Sequence, residues 1–133
     1  MNEQFGLGIR GKMENLTLVS NFVGNSMGKY GLNDYEQAQI QMAVDEAITN
    51  IIKHGDLEDK IQIKCQKQGS EIKIIIESKG KPFNPVNVEI SGINSLIRQN
   101  PDELKVYFIK KNMNKSEYEF KDGKNILTLI KCL

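Results

Sequence analysis

At 133 residues, the chain is long enough to bury a real core and is expected to form one domain spanning 1–133. Its 18 basic and 17 acidic residues are spread along the sequence, for a formal net charge of +1. With no basic block or arm, direct nucleic-acid binding is not the default. No apolar run approaches the roughly 18 residues of a membrane span and no signal-peptide pattern is present. The simplest expectation is therefore a cytoplasmic protein with no membrane partner. Cys65 and Cys132, far apart in sequence, have the spacing of neither a metal cluster nor a disulfide framework.

The elements follow in a mixed order. Phe5, Leu7 and Ile9 alternate with Gln4, Gly6 and Gly8, which predicts a first strand. Its GLGIRG run matches the dinucleotide fingerprint in letters only. That motif needs a strand before it and a helix opening on the phosphates, whereas these glycines lie inside the strand itself. Leu16, Val19, Phe22, Val23 and Met27 then recur at helical spacing, ending near Gly28 or Gly31. A second helix is expected from an N-cap at Asn33 or Asp34. Ile61, Ile63 and Cys65 form a strand that turns at Gln68-Gly69-Ser70 into Ile72, Ile74 and Ile76. Lys79 to Asn100 reads as a long loop with a short helix at Val88 to Arg98, and a loop of that length suits a lid or binding segment. Leu104, Val106, Phe108, Ile109 and Met113 predict a third helix. Tyr118 and Phe120, the Asp122-Gly123 turn, and Ile126 to Ile130 predict a closing hairpin. The sum is an α+β two-layer sandwich, a mostly antiparallel sheet covered on one face by helices.

The second helix holds the candidate site. In AVDEAITNIIKHG, residues 43–55, Ala43, Val44, Ala47, Ile48, Ile51 and Ile52 share the broad face begun by Ile40, and Asp45 and Thr49 are expected to point to solvent. Glu46, Asn50 and His54 fall along one edge of the apolar stripe, half covered and still reachable. They read equally as a ligand site or as a solvated flank, with His54 at the helix C-terminus and Gly55 as the stop.

This helix resembles the N-box of the Bergerat-fold ATPases shared by gyrase, histidine kinases and anti-sigma-factor serine kinases, with Glu46, Asn50, Lys53 and His54 on its pattern. KGKPFNP, Lys79 to Pro85, resembles the Gly-x-x-Phe-Asp-Pro segment of the RsbW-like anti-sigma branch. The closing DGKNILTLIKCL is similar to that branch's last hairpin. The likeness covers nearly the whole chain and implies the histidine kinase-like ATPase fold, binding ATP and Mg²⁺. It implies that Asn50 holds Mg²⁺, that Lys53 lies near the phosphates, and that Glu46 is the base or orienter for a Ser/Thr hydroxyl on a regulatory partner. Positioning and electrostatics dominate phosphoryl transfer, so one helix edge carrying base, metal ligand and cation is chemically coherent. His54, Ser78, Gly80, Lys105 and Thr128 complete the implied nucleotide contacts.

Two positions depart from the family. Where it carries Asp-x-Gly, whose Asp accepts from the adenine amino group, this chain has Ser78-Lys79-Gly80. Losing the charged acceptor weakens binding by about 1–3 kcal/mol, roughly ten- to a hundredfold. Where the family places Gly-x-Gly against the phosphates, this chain has Glu103-Leu104-Lys105, and Glu103 sets a negative charge there. Two function classes stand side by side. One is an anti-sigma-type kinase that phosphorylates a regulatory partner. The other is a nucleotide-independent module, which sequesters a sigma-like factor or a STAS-type antagonist by docking. A homodimer is a further option for either.

Overall fold

Alternating and helical patterns set the local structure, and turn chemistry sets the registers. In the computed structural model, residues 3–54, 57–85 and 112–133 are described, with the backbone alone at 57–59. Strand β1 (Glu3–Arg10) leads through a 3₁₀ turn (Met13–Asn15) into helices α1 (Leu16–Lys29) and α2 (Asp34–His54). Strands β2 (Leu57–Gln68), β3 (Glu71–Gly80), β4 (Lys115–Lys121) and β5 (Lys124–Cys132) follow. The helices expected over 88–98 and 104–113 lie outside the described residues, apart from Asn112 and Met113; Met113 is buried against the core.

Each junction has a chemical cause. At the end of α1 the Leu32 N–H donates to Met27 O and the Gly31 N–H to Gly28 O, with Gly31 at φ +89°. That is a Schellman stop, in which glycine takes the left-handed position and the buried Leu32 and Met27 close over it. Asn33 then caps α2: the Glu36 N–H donates to Asn33 Oδ1 (2.8 Å), and the Asn33 N–H to Glu36 Oε1 (3.1 Å). The pairing Gln68↔Glu71 leaves Gly69-Ser70 as a two-residue turn, with Gly69 at φ +60°. Lys121↔Lys124 leaves Asp122-Gly123, both left-handed at φ +53° and +77°. These positive φ angles let two-residue turns follow the strand twist.

The five strands form one antiparallel sheet in the order β1-β2-β3-β5-β4. The chain leaves β3, reaches the edge as β4, and returns as β5 between the two. The end of β3 therefore lies beside the start of β5, with Ser78 directly opposite Asn125. Ile61, Ile63, Cys65, Ile72, Ile74, Ile76, Leu127 and Leu129 form the sheet's inner face. They meet Ile40, Ala43, Val44, Ala47 and Ile48 of α2 and Val19, Val23 and Met27 of α1. Burying an isoleucine side chain contributes about 1.5–3 kcal/mol.

One expectation is corrected here. Asp45 and Thr49 do not point to solvent. Thr49 is 8% exposed, and Asp45 is half-buried with its Oδ1 buried. Two faces of α2 are covered, one by the sheet and one by α1. At Gly24 the two helices come close, and a Cβ there would sit 2.5 Å from Gln41 Nε2, so that side chain would have to shift. Gln41 instead donates to the Ser20 carbonyl at 2.8 Å. Among the described residues, no helix is long and apolar enough to cross a membrane.

Candidate nucleotide site

The second half of α2 meets the segment 81–85 through Asn50, and that segment is held by Asn125 at the start of β5, opposite Ser78 at the end of β3. Helical spacing puts Glu46 one turn before Asn50. Asn50 is 3% exposed, and its Nδ2 donates to the Pro85 carbonyl at 3.2 Å. That bond fixes the orientation of the amide, since only the nitrogen can donate. Asn50 Oδ1 and Glu46 Oε2 are both buried with no hydrogen-bond partner among the described residues. A buried acceptor left unpaired costs about 1–3 kcal/mol. Two of them a helical turn apart suit a cation or a bound donor, and an amide oxygen is an acceptable Mg²⁺ ligand beside phosphates and water.

Asp45, next in sequence to Glu46, forms the back of this row. Burial pushes its carboxyl pKa up from 3.8 to about 6; the Ser20 hydroxyl opposes the shift by hydrogen bonding, and the Glu46 charge adds to it. Lys53 and His54 are exposed at the end of α2, where cationic side chains are favoured by the helix dipole.

Ser78 lies on the inner face of β3 at 4% exposure, while Glu77 is on the outer face, paired with Gln62 and Ile126. The hydroxyl, and no carboxylate, thus occupies the inward position at this end of the strand. Gly80 ends β3 at φ +154°, a backbone region that is essentially glycine's. Lys105 lies outside the described residues.

Thr128 is not brought to this cluster. It pairs with Ile75 on the outer face and lines a shallow hollow with Glu117, Glu119 and Ile126. Successive strand residues alternate faces, so the inward residues of β5 are Asn125, Leu127 and Leu129. Asn125, 7% exposed, is the site residue that the sequence reading missed. Its Oδ1 accepts from the Phe83 N–H (2.8 Å) and from the Tyr118 hydroxyl, and its Nδ2 donates to the Lys81 carbonyl (2.9 Å). The Phe83 N–H also reaches the Tyr118 oxygen at 3.1 Å. The signal was a polar residue in register with Leu127 and Leu129, immediately after a hairpin turn.

The family comparison agrees with this geometry. The model of the histidine kinase-like ATPase domain family matches residues 9–131. A comparison with curated protein sequences finds no match. Among solved structures, the fold resembles the crystal structure of the RsbU and RsbW domains of Rv1364c from Mycobacterium tuberculosis, with a TM-score of 0.69 at 12% identity. The match covers 98% of this chain and 32% of that one, so the chain spans about a third of its length. A likeness at that identity concerns the fold, which is the α+β sandwich expected from the order of strands and helices. With the family model spanning nearly the whole sequence, the chain belongs to the histidine kinase-like ATPase domain family.

Proposed function

We propose that this chain is an anti-sigma-type regulator that binds ATP with Mg²⁺ and phosphorylates a serine or threonine of a regulatory protein partner. The observation that carries this reading is the pair of buried, unpartnered acceptors on α2, Asn50 Oδ1 and Glu46 Oε2, in a chain of ATPase-domain family. Asn50 Oδ1 would hold the metal. Bound Mg-ATP supplies the phosphoryl group and the counter-charge for its transfer. The chain's own residues do the rest. Glu46 orients the attacking hydroxyl and accepts its proton. Lys53 adds a cation at the end of the same helix, and Ser78 and Gly80 present the hydroxyl and bare backbone for the base.

A second reading is favoured by one observation: Ser78, not an acid, occupies the inward position of β3. In that reading the fold captures its partner by docking, independently of nucleotide. Calorimetric titration with ATP and ADP, with and without Mg²⁺, separates the two. The kinase reading expects saturable, Mg²⁺-dependent binding, lost in Asn50→Ala, and transfer to a partner that Glu46→Ala abolishes with nucleotide affinity nearly unchanged. Absence of binding at several millimolar nucleotide would leave the docking reading alone.

A further inference from the structure

We propose that Asn125 and Tyr118 are positioning residues that set the orientation of the Asn50 amide through the segment Lys81–Pro85. The inference rests on the nucleotide reading of Asn50 and names what prepares that residue before any ligand arrives.

An asparagine beside a cation site has two nearly isosteric orientations. One offers an oxygen to the cation and the other offers N–H donors, which repel it. At Asn50 the choice is made by the Pro85 carbonyl, which accepts from Nδ2 and leaves Oδ1 buried and unpartnered. Outer-shell groups of this kind orient a metal's direct ligands.

The Pro85 carbonyl in turn needs a fixed position. It lies five residues beyond the end of β3, where ladder pairing has stopped. Asn125 replaces the missing ladder with its side chain. Its amide donates to the Lys81 carbonyl and accepts from the Phe83 N–H, as a neighbouring peptide group would. Tyr118 of β4 closes the arrangement, its hydroxyl donating to Asn125 Oδ1 while its oxygen faces the Phe83 N–H. Phe83 packs against the core, and Pro82 and Pro85 each hold φ near −65°. A short segment anchored at Lys81 and Phe83 and stiffened by two prolines has little freedom left at Pro85. The register of β3 and β5, which puts Asn125 opposite Ser78, therefore decides which atom of Asn50 faces the site.

The test compares the whole chain with Asn125→Ala, Asn125→Asp and Tyr118→Phe, without nucleotide, by the ¹⁵N–¹H signals of the Asn50 side-chain amide. The wild type should show a separated, exchange-protected pair. In Asn125→Ala the pair should converge toward exposed-amide values, with faster exchange. Asn125→Asp, which keeps the acceptor and loses the donor, should fall between, and Tyr118→Phe should move the signals least in the same direction. Affinity for Mg²⁺ in the presence of ATP should fall about tenfold or more in Asn125→Ala. A folded Asn125→Ala with a shifted Phe83 amide and unchanged Asn50 signals overturns the proposal. So does a lower unfolding midpoint as the sole effect. Should Asn125→Ala not fold, Tyr118→Phe decides by the same criterion, and Asn50 signals unmoved there overturn it too. If the wild type binds no nucleotide, the kinase reading fails while the amide signals still decide this one.

Discussion

Near the β2–β3 turn the helices and sheet meet through residues whose polar atoms are used up. The Tyr30 hydroxyl donates to the Glu3 carbonyl at 2.9 Å, and Lys67 Nζ donates to the Tyr30 carbonyl at 3.3 Å. The Phe5 and Tyr30 rings lie 5.5 Å apart. Burial pushes the Cys65 thiol and the Tyr30 hydroxyl up to about 12, so both stay neutral. At the other end of α2, Asp45 Oδ1, Glu46 Oε2 and Asn50 Oδ1 are buried with no hydrogen-bond partner among the described residues. Folding alone gives no reason to tolerate three such atoms, at about 1–3 kcal/mol each. The first end is built for stability. The second leaves acceptors unpaired at a cost in stability, which is what the proposed ligand site would require.

If that contrast is right, core and site substitutions must act on different quantities. Ile74→Ala, in the middle of the dry region with no exposed surface, should lower stability by about 2–5 kcal/mol in urea unfolding. Gly123→Ala should cost about 1–2 kcal/mol by the same measurement, since φ at +77° is left-handed. Asn50→Ala should change stability by less than about 1 kcal/mol, because the lost bond to Pro85 is offset by removing an unpaired acceptor. A loss at Asn50 as large as that at Ile74 would break the contrast and make Asn50 a structural residue.

The same contrast is tested through pH. Asp45 has a folded pKa of about 6 against an ordinary 3.8, so the folded state holds this proton more tightly than the unfolded chain. Its contribution to stability is therefore greatest below 3.8, falls as pH rises toward about 6, and is flat above that. Asp45→Asn removes the titration. The unfolding midpoints of wild type and variant should diverge between pH 4 and 6 in favour of the variant, then run parallel. Parallel midpoints throughout would show that Asp45 is solvated and that the α1–α2 flank is open.

Much of this molecule was legible in one dimension. The alternation in β2, β3 and β5, an N-cap at Asn33 or Asp34, the glycine turns and the apolar stripe of α2 all rest on contacts between near neighbours. The motif residues Glu46, Asn50, Phe83 and Pro85 were equally visible as letters. Other features depended on which surfaces meet. Asp45 and Thr49 looked exposed on a helical wheel, since nothing in their spacing announces that α1 will cover a second face. Thr128 and Asn125 lie three residues apart in one strand and hence on opposite faces. Alternation with Leu127 and Leu129 turns Asn125 inward, and only the register of β5 against β3 shows what it lies beside, Ser78.

Among the described residues, periodicity and local hydrogen bonding were enough to place the helices, the strands, the turns between them and the edge of α2 on which the site is proposed. The tertiary structure decided that β5 inserts between β3 and β4, that Asn125 and Tyr118 hold the segment after β3, and that the Asn50 oxygen is left unpaired. The contacts that hold the segment after β3 join residues 35 to 44 positions apart, and contacts at such distance are selected by the packing of the whole sheet and not by any local run of side chains.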